Sequence, residues 1–168
     1  MAGIRLLCPA VSEITVRRAT AQDLPAAQRL WQDLQAVQHR FRILPPSRDP
    51  DEVFRDEFLG SDGRDDALWL IAEAGGEVAG MAYLHAEKPS RVSDEEVLEL
   101  SRVAVAEGLR GRGVGRALVA AAEQVARERG SRYLAARIFS RNEAAVRFWD
   151  ALGFDSFLDT RMRPVDRP

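Results

Sequence analysis

A glycine- and arginine-rich stretch between a strand pattern and a helix pattern constrains the fold of this chain most. Residues 97–105 read VLELSRVAV, residues 109–116 read LRGRGVGR, and the segment 113–129 repeats apolar residues at helical spacing before Gly130. This order predicts a strand, a tight turn and a helix. Backbone N–H groups at a helix start attract anions, and glycine lets the backbone approach a bulky pyrophosphate. The stretch therefore indicates a phosphate site.

Two common phosphate motifs do not fit this stretch. A Walker A loop needs GK[ST] at its end, which the sequence lacks here. A dinucleotide fingerprint begun at Gly111 needs a third glycine where Arg116 stands. That fingerprint also normally follows the first strand of its fold, whereas about four predicted strands come first here. From these residues alone, a turn with solvated arginines stays open as the alternative.

Composition excludes several classes of protein. The length of 168 residues predicts one domain, and the net charge of −2 argues against a nucleic-acid partner. No apolar run is long enough to span a membrane, so we expect no membrane partner. The lone cysteine, Cys8, and the lack of a signal-peptide pattern favour the cytoplasm. Two histidines and one cysteine without HExxH or CxxC predict no metal site.

The remaining patterns predict one mixed sheet. Residues 1–12 are expected to be a flexible N-terminal tail, and residues 13–168 a single domain. Capping-box pairs at Thr20/Asp23 and Ser140/Glu143 mark two helix starts. The periodicity predicts strands over 14–19, 97–105, 132–139 and 157–165, a hairpin over 67–88 turning at Gly75-Gly76, and helices over 24–41, 51–59, 113–129 and 142–152. This order predicts an α/β (α+β) fold whose central mixed sheet is flanked by helices.

Two motifs in this order resemble the GCN5-related N-acetyltransferase (GNAT) family. The family's Q/R-x-x-G-x-G/A signature is matched by the six residues 110–115, RGRGVG. Its later signature is matched by Asn142-Glu-Ala-Ala145, Phe148-Trp149 and Gly153-Phe154. The resemblance covers about residues 13–165. It implies the GNAT acyl-CoA N-acyltransferase fold and acetyl-CoA as cosubstrate.

The resemblance also implies which residues bind the cofactor. The strand backbone at Val103 and Val105 would pair with the pantetheine arm, amides of residues 110–116 would cradle the pyrophosphate, and Asn142 would lie beside the cofactor. The arginine side chains could reach the 3′-phosphate because of their charge. The complete predicted set is Val103, Ala104, Val105, Arg110, Gly111, Arg112, Gly113, Val114, Gly115, Arg116, Asn142, Ala145 and Trp149.

Acetyl transfer to an amine needs a base, because an alkylammonium with a pKa near 10 must lose a proton. Glu99 is the candidate general base, since its spacing to Arg110 resembles that of the basic glutamate in histone-acetylating relatives. Strand alternation predicts Glu99, Ser101 and Val103 on one face. A solvated glutamate, or one ion-paired with an arginine, remains the alternative. The backbone N–H of Val105 is the candidate oxyanion donor.

One position departs from the family pattern. Trp149 stands where many relatives carry a tyrosine that protonates the leaving sulfur, and indole cannot act as a proton-transfer acid. Trp149 is expected either beside the cofactor's sulfur or in the core. Tyr83 and Tyr133 do not match the motif. His39 and His85 are expected to be ordinary surface or core histidines.

The resemblance implies an N-acetyltransferase that moves the acetyl group of acetyl-CoA to a primary amine by direct attack in a ternary complex. The acceptor would be a small-molecule or protein amine, and a homodimer is compatible with the family. The alternative is a non-catalytic acyl-CoA-binding or regulatory GNAT-like module, which Trp149 keeps open.

Overall fold

Six strands form one sheet in the computed structural model, which describes residues 4–6, 13–41, 45, 49–87 and 95–163. The strands lie side by side in chain order; the first five are antiparallel and the last pair is parallel. The predicted mixed sheet is therefore confirmed. The strands are β1 (Ile4–Leu6), β2 (Ile14–Arg18), β3 (Ala67–Ala74), β4 (Glu77–Glu87), β5 (Val97–Val105) and β6 (Leu134–Ala136).

Among the described residues, four α-helices cover the two faces of the sheet. They are α1 (Leu24–Gln38), α2 (Pro50–Gly60), α3 (Val114–Glu128) and α4 (Glu143–Asp150). One core lies between the sheet and α3, which buries its apolar stripe there together with Trp149 of α4. A second, more aromatic core lies between the sheet and α1 and α2, around Trp31, Phe54 and Trp69. The strand that precedes the glycine-rich turn, β5, thus lies between two packed layers.

The predicted hairpin is confirmed as β3 and β4. Its two-residue turn places Gly75 at φ +63° and Gly76 at φ +83°. Both values lie in the left-handed region, which glycine enters without a steric penalty. Within the hairpin, Trp69 pairs with Tyr83 and their rings stack at 4.7 Å.

Within the expected N-terminal tail, Ile4–Leu6 pairs with β2 as an edge strand, and residues 1–3 and 7–12 lie outside the described residues. The predicted terminal strand is wrong in part. Residues 157–163 form no strand, and the rest of the predicted terminal strand also lies outside the described residues. Phe157 and Leu158 are 77% and 73% exposed, so the alternating pattern there is not matched by burial.

Arg17 ties the start of α1 to the sheet. Its guanidinium donates to Asp23 Oδ1 at 2.7 Å and to Glu73 Oε1 at 2.6 Å. The backbone N–H of Thr20 donates to Asp23 Oδ2 at 2.7 Å, which confirms the first predicted capping box. Asp23 is only 7% exposed, and the hydrogen bonds from Arg17 lower the pKa of its carboxyl to about 2.

We expect Asp23→Ala to lower the free energy of unfolding at pH 7 by about 1–3 kcal/mol, because it removes a buried, hydrogen-bonded carboxylate. The folded-state pKa of Asp23 lies below its ordinary value of 3.8. Its contribution is therefore present above about pH 4 and is lost as the pH falls toward 2. Urea unfolding of parent and variant at pH 7 and pH 3 measures this, and a difference that does not shrink at pH 3 would contradict it.

Candidate active site

A β-bulge in β5 sets the geometry of the site. The β4–β5 register shifts between Met81 and Tyr83, which leaves Arg102 and Val103 opposite the single residue Ala82. Arg102 takes φ +48°, a left-handed backbone conformation that non-glycine residues adopt rarely. Such bulges bend a strand and redirect its side chains, and they are common beside active sites.

Because of the bulge, the side chains of β5 do not alternate as the sequence predicts. Glu99 and Ser101 share one face, because Ser101 pairs with Tyr83, which packs in the core beneath α1 and α2. Val103 instead packs against the core beneath α3. The extra residue, Arg102, shifts the alternation by one position. Val103 therefore lies on the opposite face from Glu99, and the predicted shared face is wrong for this residue.

β5 and β6 separate just before the bulge. Their ladder ends at the pair Leu100 and Ala136, while β5 continues to Val105. Residues 137–139 form no strand, so the predicted strand over 132–139 is shortened to β6. Within the part of the chain that the structure describes, the last residues of β5 thus have no strand partner on this side.

The backbone of Val105 faces this open side. In an antiparallel ladder, pairs that exchange hydrogen bonds alternate with pairs that do not. Ala106 N–H donates to Ala79 O at 2.9 Å, so the neighbouring pair Val105 and Gly80 is of the second kind. Val105 therefore directs its N–H and C=O away from β4, and the C=O accepts from Arg110 Nε at 3.2 Å.

A cavity of about 220 Å³ lies beside this open edge. Its walls come from the end of β5, one face of α1 and the start of α4. Six residues of the predicted cofactor set line it, namely Val103, Ala104, Val105, Arg110, Asn142 and Ala145. The remaining lining residues are Leu30, Asp33, Leu34, Val37 and Ala144. The fold thus brings both sequence signatures to one cavity.

The glycine-rich turn places the start of α3 next to the cavity wall. Gly111 has φ +74°, and Gly113, the residue that precedes α3, has φ +93°. The first helical bond runs from Ala117 N–H to Gly113 O. By helix geometry the N–H groups of residues 113–116 therefore have no acceptor within α3, and they concentrate positive potential at its start.

Not all amides of the predicted phosphate cradle are free within the turn. Arg110 N–H donates to Glu107 O at 3.3 Å, and Arg112 N–H donates to Leu109 O at 3.4 Å. These two amides hold the turn. The side chains of Arg110, Arg112 and Arg116 are exposed, so their charges surround the start of α3.

Two residues of the predicted cofactor set have packing roles. Gly115 faces Phe148 of α4, and a Cβ at this position would lie 3.1 Å from Phe148 Cζ. Trp149 is 6% exposed and belongs to the core beneath α3, with its ring edge-on to Phe148 and Phe154. The structure therefore favours the core alternative for Trp149, which does not line the cavity.

We expect Gly115→Val to lower the free energy of unfolding by about 1–3 kcal/mol, because the added side chain would overlap the Phe148 ring. The same substitution in a Phe148→Ala background should cost less, since the ring is gone. Urea unfolding of the two single variants and the double variant measures this coupling. An equal cost in both backgrounds would show that the close approach to Phe148 does not require glycine.

Asn142 fixes the start of α4 at the cavity. Its side-chain Oδ1 accepts from Ala145 N–H at 3.2 Å, so Asn142 is the N-cap of α4. The predicted capping box of Ser140 and Glu143 is therefore wrong, since the helix begins after Asn142. An asparagine oxygen satisfies one free amide of the first turn, which explains the residue type at this position.

Glu99 is 6% exposed and ion-paired. Its Oε2 lies 2.9 Å from Arg137 Nη2, and the same nitrogen lies 3.9 Å from Glu87 Oε1. His85 is the direct partner of Glu99 across the β4–β5 ladder. The predicted base thus lies in a charged cluster rather than in solvent. Its ion-pair partner, which the sequence alone did not identify, is Arg137.

His85, Glu87 and Glu99 each offer one ligand-type atom, and these atoms lie within 4.8 Å of one another. Histidine and carboxylate are donors that divalent metals accept in proteins. However, the Arg137 guanidinium already places a positive charge against both carboxylates. We therefore assign no metal to this cluster.

Arg102 connects the bulge to the two helices above it. Its guanidinium lies 5.3 Å from the Tyr83 ring centre and 5.7 Å from that of Trp31, and its Nη1 lies 2.8 Å from Glu57 Oε2. Burial raises the pKa of the Glu57 carboxyl, although Arg102 acts in the opposite direction. Burial also raises the pKa of Tyr83. This cluster therefore holds α1 and α2 against the bulge.

Sequence reasoning missed several of these residues. Leu34 and Val37 belong to the helical stripe of α1, and periodicity cannot separate a cavity wall from a core. Arg102 sits within an ordinary alternating pattern without a glycine to mark the bulge. Glu57 and Arg137 carry no motif. Glu95, just before β5, pairs with Arg132 at 3.2 Å and carries no motif either.

The chain matches the model of the acetyltransferase (GNAT) family over residues 25–154. This range holds the bulged strand, the glycine-rich turn and both signatures. The chain therefore belongs to the GNAT family of acetyltransferases, as the sequence resemblance implied.

Among curated proteins, it is similar to an uncharacterized N-acetyltransferase of Methanocaldococcus jannaschii, with 30% identity over 92 residues, 55% of this chain and 41% of that one. It is also similar to the streptothricin acetyltransferase of Streptomyces lavendulae, with 32% identity over 111 residues, 61% of this chain and 56% of that one. The chain thus spans about half the length of the curated relatives it matches.

Among solved structures, the chain resembles an aminoglycoside N-acetyltransferase in complex with CoA. The TM-score is 0.73 at 22% identity, and the match covers 95% of this chain and 99% of that one. At this identity the similarity establishes the fold. Within the part of the chain that the structure describes, no helix is both long and apolar enough to cross a membrane.

Proposed function

We propose that this protein transfers the acetyl group of acetyl-CoA to a primary amine by direct attack in a ternary complex. The observation that carries the proposal is the cavity beside the open end of β5, next to the start of α3. An acyl-CoA needs a groove for its pantetheine arm and an anion site for its pyrophosphate, and these two features supply both.

In this proposal, the cofactor lies along the open edge of β5. The backbone of Val103 and Val105 pairs with the pantetheine arm, and Asn142 and Ala145 form the opposite wall. The amides of residues 113–116 bind the pyrophosphate, and the exposed arginines of the turn balance the phosphate charge. Val114 and Gly115 thus bind the cofactor through backbone groups only. The Val114 side chain is buried in the core, and a side chain at Gly115 would meet Phe148.

The reaction then needs a base, an oxyanion donor and a leaving group. Glu99 accepts a proton from the bound ammonium. The N–H of Val105, which faces away from β4, donates to the oxyanion of the tetrahedral intermediate. The CoA thiolate leaves without a tyrosine acid, because a thiol with a pKa of about 8.5 is a good leaving group and water can protonate it.

The acceptor class that the comparisons favour is a small-molecule amine. The streptothricin acetyltransferase and the aminoglycoside N-acetyltransferase are both similar to this chain. Asp33 lines the cavity, and Glu57 and Glu99 lie on the side of β5 that faces α1 and α2. These carboxylates suit a cationic acceptor.

Release of free thiol from acetyl-CoA tests the proposal. Streptothricin, an aminoglycoside, a polyamine and a lysine-containing peptide are offered in turn, and each rate is compared with the rate without amine. We expect at least one amine to raise thiol release above that background. Binding of acetyl-CoA without turnover of any amine would instead support the non-catalytic module.

A further inference from the structure

His85 lies at the centre of the charged cluster around the candidate base. It is the direct cross-strand partner of Glu99, and its ring stacks on Tyr83 at 5.2 Å. Its Nε2 lies 3.1 Å from Glu87 Oε2. A histidine predicted to be an ordinary core or surface residue is thus in contact with two titratable neighbours.

The contact with Glu87 determines the tautomer of His85. An ionised carboxylate only accepts hydrogen bonds, so Nε2 must carry the hydrogen. In the neutral ring, Nδ1 is then an unprotonated acceptor. This Nδ1 is buried and has no hydrogen-bond partner among the described residues. The side chain therefore presents a free basic nitrogen in the interior.

A second buried polar atom without a partner lies on the same face. Ser101 Oγ has no hydrogen-bond partner among the residues that the structure describes, and Ser101 follows Glu99 along β5 toward the bulge. Polar atoms in protein interiors are normally hydrogen-bonded, often by an ordered water. His85 and Glu99 are direct cross-strand partners, and the Cβ atoms of such pairs lie about 4.5–5.5 Å apart, so one water can reach both side chains.

Glu99 alone is a weak proton acceptor for an alkylammonium. An ordinary carboxyl has a pKa of about 4, and imidazole is the stronger base near neutral pH. Glu99 is also engaged with Arg137, which leaves less of its carboxylate available. A second base behind Glu99 would hold the proton more firmly while the amine attacks.

We propose that His85 is the terminal proton acceptor of the transfer, reached from the acceptor amine through Ser101 and Glu99. This inference rests on the proposed function. The ammonium gives one proton through this path to Nδ1, and the free amine attacks the thioester carbon. The carbon–sulfur bond breaks as the intermediate collapses. The second ammonium proton goes to the departing thiolate, and the imidazolium then releases its proton to solvent.

Several charged groups face His85 and act on its charge. On α2, burial raises the pKa of Glu57, while Arg102, its ion-pair partner, and His85 act in the opposite direction. The others are Glu87 and Tyr83 on β4, Glu99 on β5, and Arg137 after β6. The carboxylates of Glu87 and Glu99 lie beside the ring that receives the proton.

The first test reads the tautomer and needs no acceptor. The sequence has two histidines, and the second, His39, is exposed at the end of α1. A His39→Gln protein labelled with ¹⁵N therefore gives one imidazole signal set. We expect Nε2 to be protonated and Nδ1 unprotonated above pH 8. Protonation at Nδ1 in the neutral ring would overturn the proposal.

The second test measures kcat against pH from 5 to 8 with acetyl-CoA and saturating streptothricin, or the best amine of the screen. In the parent, kcat should fall as the pH is lowered, since an imidazolium cannot accept a proton. His85→Gln should lower kcat roughly tenfold to 100-fold and abolish this fall, with the KM for acetyl-CoA unchanged. His39→Gln is the matched control and should behave as the parent.

Glu87→Gln gives a milder variant in case His85→Gln does not fold. It removes the ionised acceptor that keeps the hydrogen on Nε2, so kcat should fall part of the way toward that of His85→Gln, with the KM for acetyl-CoA unchanged. Parent-like kcat and pH dependence in His85→Gln, or parent-like kcat in Glu87→Gln, would overturn the proposal while the proposed function stands. Acetyl-CoA binding without turnover of any amine would end both.

Discussion

Gly113→Asp should weaken acetyl-CoA binding by at least about 100-fold. The substitution places a carboxylate at the start of α3, where the proposal seats the pyrophosphate, and like charges in contact cost several kcal/mol. Each 1.4 kcal/mol is a factor of ten in affinity. Titration calorimetry with acetyl-CoA measures the dissociation constant directly.

Gly130→Asp is the matched control for this variant. Gly130 follows the other end of α3 with φ +72°, a conformation similar to the φ +93° of Gly113. An ideal Cβ at Gly130 meets no atom within 4 Å. The control thus imposes a similar backbone strain and the same charge far from the cavity. Equal affinity of both variants for acetyl-CoA would contradict the phosphate site.

Glu99→Gln should lower kcat by roughly 100-fold or more, because general-base catalysis contributes about 10²–10⁴ in rate. The amide keeps the shape of the side chain and removes its ability to take a proton. The affinity for acetyl-CoA should change little, since Glu99 does not line the cavity beside the open end of β5. Steady-state kinetics at saturating acetyl-CoA separates the two effects.

Arg137→Gln controls for the lost ion pair. The Glu99 carboxylate remains in that variant while its partner, 2.9 Å away, is replaced. If the carboxylate acts as the base, Arg137→Gln should retain far more activity than Glu99→Gln. Full activity in Glu99→Gln would remove Glu99 from the mechanism, and equal losses in both variants would assign Glu99 a structural role.

The sequence predicted the elements that carry local signals. The strand over 97–105, the glycine-rich turn and α3 follow from alternation, glycine content and helical periodicity, and the structure confirms them. The two signatures placed Arg110 and Asn142 at one cavity because their surroundings in the chain match the family order. Long, strongly periodic segments are the ones that sequence patterns identify best.

The sequence could not predict features that depend on tertiary packing. Nothing in VLELSRVAV marks the bulge at Arg102, which results from the pairing of β5 with β4. Gly115 matches the phosphate motif, but its close neighbour is Phe148, which lies 33 residues later (148 − 115). Trp149 fits a core or a cofactor contact equally well from its position in the motif, and only its burial separates the two.

The melting temperature with and without acetyl-CoA, CoA and NAD tests the central claim most directly. A ligand at 100 times its dissociation constant stabilises the folded state by about 2.7 kcal/mol. For a chain of this size, that corresponds to a rise of roughly 5–10 °C. We predict such a rise with acetyl-CoA and with CoA but not with NAD. No rise with either CoA ligand would contradict the assignment of the β5 cavity and the α3 start as an acyl-CoA site.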